Sequence, residues 1–290
     1  MTAYRSFLFT PGNHPRRVEK VFSCGADAAI LDLEDAVAVT EKTAARAMVV
    51  AALQRPRTCG GYVRVNAMDT PFAYGDFCAV VGPGLDGIIL PKVSAGWQMK
   101  AAEWLLSELE RQAGLPVGTI DLIPIIETGE GMANLQRIAR SRTRARRMAF
   151  GAGDFTLDVG MAWTSDETEL DPYRAQMVMQ SRAAGLEAPV DTVWAELNNP
   201  DGLDASARRA ARFGFQGKMC IHPGQIETVN RCFTPSDTEI ARAEKIMVAF
   251  DQAEAEGSAS IQVDGAFVDY PIVAKARRVL DLVRQIGAGK

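Results

Sequence analysis

Eight short apolar runs, most of them followed by a helical pattern, constrain this chain more than any other feature. They lie at Ser6–Thr10, Ala28–Leu33, Tyr62–Val65, Gly87–Leu90, Asp121–Ile126, Arg147–Phe150, Asp191–Leu197 and Gly217–Ile221. Each is apolar and often β-branched, as strands buried on both faces are. The helix candidates between them are Pro15–Ser23, Glu41–Leu53, Gly96–Gln112, Gly129–Arg140, Tyr173–Ala184 and Leu203–Phe213. Pro15 suits a first helical turn, where its missing N–H costs nothing. Strand followed by helix, eight times over, predicts a parallel sheet closed into a TIM (β/α)8 barrel. An open doubly wound sheet is the alternative.

After the eighth run the pattern changes. Thr234–Glu254 reads as a long polar helix begun by Thr234-Pro235-Ser236. A small polar stretch, Ala255–Ser260, leads into a β-like piece, Ile261–Val268, with Asp264-Gly265 as a turn signal. Pro271–Ile286 is a last amphipathic helix. The expected organisation is therefore a barrel over residues 1–234 and an appendage over residues 235–290.

Composition removes several functional classes. With 290 residues the chain buries a core without staples, and its five cysteines show neither CxxC spacing nor an even count. A net charge of −4 implies no broad basic surface, so nucleic acid is not the expected partner. No apolar run reaches the roughly 18 residues of a membrane span. The N-terminus lacks the pattern of a secretory signal, and a cytoplasmic location is expected.

In a barrel, chemistry sits where strands end. Here the exits carry Thr10-Pro11-Gly12-Asn13, then Asp32, Glu34 and Asp35, then Arg64 and Asn66, then Pro91-Lys92. Further exits carry Glu127-Thr128, Gly151-Ala152-Gly153-Asp154 and His222-Pro223. Glu127 and Asp154 leave neighbouring runs, and two carboxylates at one rim suit Mg2+, which takes one or two carboxylates with water and substrate oxygens. The pair could instead be satisfied by helix N-termini or arginines. Arg64, inside Val63-Arg64-Val65, needs a partner if buried. Its fork would clamp a substrate carboxylate, or would pair with the acidic group at the second run. Glu34 and Asp35 are candidate catalytic residues that would order metal-bound water or Arg64, or else merely cap a helix start. Lys92 could meet a phosphate or a substrate oxygen. His14 and His222 read as structural. The basic run Arg140–Arg147, with five arginines, reads as a solvated helix end and loop. Neither a dinucleotide fingerprint nor a Walker element occurs.

Several segments together are familiar: Arg5-Ser6-Phe7-Leu8-Phe9-Thr10-Pro11-Gly12-Asn13, Ala26 to Val37 with Asp32-Leu33-Glu34-Asp35, and Ile123-Pro124-Ile125-Ile126-Glu127-Thr128. Phe150-Gly151-Ala152-Gly153-Asp154 and Gly217-Lys218-Met219-Cys220-Ile221-His222-Pro223 complete the set. In this order the chain resembles the citrate lyase beta-subunit-like branch of the HpcH/HpaI aldolase superfamily, from Arg5 to about Leu282. The resemblance implies a TIM barrel with Mg2+ held by Glu127 and Asp154, and Arg64 on the carboxylate of an α-keto acid. Arg64 and Glu127 are thus the candidate substrate-binding residues. It implies cleavage or formation of a carbon–carbon bond in a coenzyme A or acyl-carrier-protein thioester of the citryl-, malyl- or citramalyl-CoA kind. It further implies a trimer or hexamer in which the C-terminal appendage is a lid over a neighbouring subunit. Gly265-Ala266-Phe267-Val268-Asp269 matches the family stretch whose aspartate does acid–base chemistry. Without the resemblance Asp269 reads as an ordinary turn carboxylate. The seventh run, Val193 to Asn199, departs from the family pattern and leaves substrate identity open.

The expected reaction breaks the bond between a hydroxyl-bearing carbon and the acyl α-carbon. Asp269 would move the proton at the thioester enolate, and Arg64 would fix the keto-acid fragment. Arg16, Lys20 and Lys92 are the candidate coenzyme A phosphate contacts. A CoA-independent metal aldolase is one rival, weakened by the Asp269 stretch. A subunit active only with an acyl carrier protein is the other.

Overall fold

The computed structural model describes residues 3–288. Eight parallel strands close into a barrel: β1 (Ser6–Pro11), β2 (Ala28–Asp32), β3 (Gly60–Arg64), β4 (Gly87–Leu90), β5 (Asp121–Ile126), β6 (Ala149–Phe150), β7 (Val190–Asp191) and β8 (Gly217–Cys220). Each pairs with its neighbour in sequence, and β1 closes the ring on β8 through Ser6, Phe7 and Leu8 beside Lys218, Met219 and Cys220. The closed ring rules out the open sheet. It leaves no strand edge unpaired, which is how a parallel sheet of short apolar strands satisfies its backbone. The strands are buried almost throughout; β2, β4 and β8 have no partly exposed residue.

Four local differences from the sequence pattern have physical causes. The seventh run was expected to be strand over Asp191–Leu197, but only Val190–Asp191 is. Beyond it, buried Trp194 donates its indole N–H to the Glu196 and Asn199 carbonyls at 2.9 and 3.1 Å, which turns the chain back on itself. The helix expected over Gly129–Arg140 is two, Gly129–Ala133 and Leu135–Ala139, broken at Asn134, whose side chain donates to the Ser94 carbonyl at 2.9 Å. Two helices, Ala73–Val80 and Ala152–Asp158, had no clear periodic signal because each is short and carries a glycine. The basic run is not simply solvated. Arg144 is buried on Glu110 and Glu103, while Arg146 and Arg147 pair with Glu187.

The chain divides into two compact units, Arg5–Asn230 and a second made mainly of the residues from Arg231 onward. In the second unit, Ser236 and Glu239 form a reciprocal cap at the start of the helix Asp237–Ala255. A hairpin follows, β9 (Ser260–Val263) and β10 (Ala266–Asp269), and then the helix Tyr270–Ala288. Asp264 and Gly265 both have positive φ, 49° and 77°, as the two central residues of a tight hairpin turn require. Ala243, Ile246 and Phe250 pack with Val263, Val268 and Val273 as this unit's own core.

Candidate active site

The register of the barrel builds the site. Asp32 at the end of β2 lies directly beside Arg64 at the end of β3. Side chains paired in register share a face, so the two groups meet. Arg64 donates from Nε and Nη2 to the two Asp32 oxygens at 2.7 and 2.6 Å, and its Nη1 lies 3.0 Å from Glu34 Oε2. The guanidinium stacks 4.8 Å from the centre of the Phe9 ring on β1. Asp32 also accepts from the Glu34 and Ala36 N–H groups at 2.9 and 3.1 Å. Of the two roles open to Arg64, the ion pair with the acidic group after β2 is the one formed. That pair occupies the Nε–Nη2 edge of the fork, while Nη1 faces Glu34. Burial pushes the Asp32 carboxyl up, but Arg64 and the two N–H donors outweigh it and hold it below the usual range. The capping role considered for Glu34 and Asp35 belongs to Asp32.

Lys92 follows β4 and Pro91 with a left-handed φ of 51°. Its N–H donates to Glu127 Oε1 at 2.7 Å. Its ammonium meets Glu34, Asp35 at 3.0 Å and Asp154 at 3.0 Å. The ammonium expected at a coenzyme A phosphate is thus held by carboxylates of the chain itself. A lysine surrounded by three carboxylates has its charge already matched, and an approaching phosphate would meet theirs.

Glu127 follows Ile126 of β5 and is only 4% exposed. Burial, with Glu34 and Asp154 nearby, pushes its carboxyl up to about 8, against the opposing pull of Arg64 and the Lys92 N–H. Burial likewise pushes Glu34 up, partly offset by Arg64 and Lys92. Asp154 sits in the first turn of the helix Ala152–Asp158, where the helix N-terminus favours a carboxylate. Gly151 lets β6 approach Glu127: a Cβ there would stand 2.4 Å from Glu127 Oε2.

Among the described residues, Glu127 Oε2 and Asp154 Oδ1 accept no hydrogen bond. One oxygen of each carboxylate is tied to Lys92 and one is left over. No three His, Cys, Asp or Glu side chains among the described residues gather closely enough to hold a metal unaided. Two carboxylates completed by water and substrate oxygens is nevertheless the donor set Mg2+ accepts. A buried carboxylate held toward its neutral form by other carboxylates is also what an added cation would relieve. The residues therefore fit Mg2+.

The other sequence candidates lie elsewhere. Arg16 and Lys20 are exposed on the helix Pro15–Lys20, Arg16 in its first turn after the β1 exit. Asp269 ends β10 in the second unit, where its Oδ1 accepts from the Ile272 N–H at 3.3 Å, capping the helix that follows. His222 Nδ1 accepts from Gly224 N–H at 3.1 Å, a structural role. The sequence offered the acidic group Asp32, Glu34 and Asp35 as a partner for Arg64 without singling out Asp32, which alignment of the second and third runs in register places beside it. Sequence reasoning missed Asp76, which accepts from the Asn66 backbone and amide and from Arg46. It missed Lys42 as well, whose ammonium donates to the Leu33 and Glu34 carbonyls at 3.1 and 2.6 Å and so fixes the β2 exit.

The family model for HpcH/HpaI aldolase/citrate lyase matches residues 5–223, the whole of the barrel. The chain belongs to this family. Over 96% of its length it is 38% identical to the citrate lyase subunit beta of Leuconostoc mesenteroides subsp. cremoris, of which it covers 92%. It is 33% identical to the L-malyl-CoA/beta-methylmalyl-CoA lyase of Cereibacter sphaeroides, with 98% and 96% of the two chains covered. Among solved structures, protein CitE from Mycobacterium tuberculosis, in complex with magnesium, acetoacetate and coenzyme A, superposes with a TM-score of 0.77. That match is at 28% identity and covers 98% of each chain.

Proposed function

We propose that this family member is a Mg2+-dependent carbon–carbon lyase acting on a 3-hydroxyacyl-CoA thioester, releasing an α-keto acid and an acyl-CoA. The observation that carries the reading is the buried Glu127 beside Asp154 and Arg64, at the mouth of a barrel of this family. Relatives named as citrate lyase subunit beta and malyl-CoA lyase, and a CitE complex with magnesium and coenzyme A, support it.

In this reading Glu127 and Asp154 hold Mg2+, which polarises the hydroxyl and carboxylate oxygens of the substrate when bound. Arg64, braced by Asp32 and Phe9, binds the keto-acid carboxylate through the Nη1–Nη2 side of its fork, which it shares with Glu34. That holds the breaking bond in one orientation. Glu34 steadies Arg64 and Lys92 together, and Asp35 shares the lysine from the solvent side. Asp269 is assigned the proton transfer at the acyl α-carbon. Arg16 and Lys20 remain the proposed contacts to the coenzyme A phosphates. The reading includes a cytoplasmic homo-oligomer in which residues 235–290 act as the lid.

The test is keto-acid release from malyl-, methylmalyl-, citramalyl- and citryl-CoA by the purified chain, with and without Mg2+. Mg2+-dependent release from one of them is expected and names the substrate. The 38% identity to the Leuconostoc citrate lyase subunit beta favours a second reading, a subunit active only with an acyl carrier protein. Silence toward all four free thioesters, with turnover restored by a carrier-protein thioester, would select it.

A further inference from the structure

We propose that Lys92 competes with the divalent cation for Asp154 and so sets how tightly the barrel mouth holds metal. The inference rests on the Mg2+ reading above and adds a residue to it. Lys92 reaches carboxylates from two exits at once, Glu34 and Asp35 after β2 and Asp154 after β6. Its N–H reaches a third, Glu127 after β5. Left-handed backbone at a non-glycine residue carries a conformational cost, and here it sends the N–H and the ammonium to different carboxylates.

Two opposite effects follow from this placement. By holding Asp154 Oδ2 and Glu127 Oε1, Lys92 orients the two carboxylates, which favours metal. Its ammonium, 3.0 Å from an Asp154 oxygen, also places a positive charge against any dication on that same carboxylate, which disfavours metal. Orientation of one partly exposed carboxylate contributes little. Repulsion between a monocation and a dication sharing a carboxylate falls only as the inverse of distance, and half-burial of the site limits screening. Repulsion therefore wins, and removal of the ammonium tightens metal binding. Lys92 neutralises the carboxylates of the metal-free chain at the expense of metal affinity.

The experiment is a calorimetric Mn2+ titration of the full chain for wild type, Lys92→Met and Lys92→Arg, with thermal melts of each without metal. Methionine keeps the stem, the N–H and the backbone strain but not the charge; arginine keeps the charge. Lys92→Met is expected to lower the Mn2+ Kd by about tenfold or more. Its metal-free Tm should fall while its metal-induced rise in Tm grows. Lys92→Arg should stay within about threefold of wild type, since the charge is retained. Lys92→Gln repeats the comparison if the methionine variant does not fold. A lower metal-free Tm with an unchanged or weaker Kd is the mark of a merely structural lysine and overturns the inference. Wild-type chain that binds no Mn2+ overturns it together with the Mg2+ reading, whereas saturable wild-type binding with unresponsive variants overturns it alone.

Discussion

Arg64 and Glu127 show how far a single side chain depends on its strand neighbours. In the proposed reading Arg64 clamps a carboxylate while Asp32 holds the other edge of its fork, a double duty that a residue with one donor point cannot perform. Arg64→Lys is expected to lower kcat/KM by about a hundredfold, the equivalent of one lost charged hydrogen-bond pair. Steady-state kinetics on whichever thioester the release assay selects would check it, and wild-type kinetics would remove the clamp. Glu127 presents the opposite case, a carboxylate whose surroundings disfavour its charge. Glu127→Gln keeps an acceptor for the Lys92 N–H and removes that cost. The metal-free variant should melt about 2–4 °C above wild type, as a gain near 1 kcal/mol implies, and should lose turnover. A metal-free Tm at or below that of wild type would show that Glu127 is not under electrostatic strain.

At the scale of elements, the site depends on strand exits rather than on strand length. β6 and β7 are two residues each, yet β6 delivers both Gly151 and the helix that carries Asp154. The short strands suffice because the ladder on either side fixes their register. Gly151 matters for the space it leaves: a Cβ would meet both the Glu127 Cβ at 2.6 Å and its Oε2 at 2.4 Å. Gly151→Ala should therefore cost about 1–3 kcal/mol through overpacking. It should also weaken Mn2+ binding by displacing Glu127, although the substitution replaces no charged residue. A melt combined with a Mn2+ titration tests this, and unchanged metal affinity would mean that Glu127 has room to move aside.

At the scale of the whole barrel, a second charged cluster lies fully buried. Asp191 at the end of β7 accepts from Lys218 at 2.7 Å and from Arg174 at 3.0 Å, and Arg174 continues to Glu167, which Ser206 also meets. Lys218 belongs to β8, Arg174 to the helix Asp171–Ala183 and Ser206 to the helix Pro200–Phe213, so the cluster ties the closing strands to their outer helices. Burial pushes the Asp191 carboxyl up, but Lys218 and Arg174 outweigh it and hold it below the usual carboxylate range. A depressed native value means that the unfolded chain binds the proton first as pH falls. This contribution to stability is complete above the unfolded value of about 3.9 and is lost below it, through the lower native value. Asp191→Asn should cost about 3–5 kcal/mol at neutral pH, since two buried cations lose their partner. The gap from wild type should narrow as pH drops below about 4. Urea unfolding across that range would show it; a constant gap would mean that Asp191 does not titrate with unfolding.

The barrel was legible in the sequence because its cause is local. Apolar β-branched runs buried on both faces and alternating with helices can close in few ways, and β4, β5 and the helix Gly96–Gln112 have the boundaries read from the sequence. The hairpin turn at Asp264-Gly265 was legible for the same reason, since left-handed φ angles favour these residue types. So was the gathering of acidic residues and Arg64 at strand exits, because each exit is set by where its own run stops. What tertiary structure decided was which charge meets which. Asp32 pairs with Arg64 through strand register, and Trp194 ends β7 early through hydrogen bonds to carbonyls that the turn itself brings close. Lys92 meets carboxylates from exits far apart in sequence, with its backbone turned left-handed. Electrostatic partnership depends on distance in space, and only the closed barrel fixes those distances.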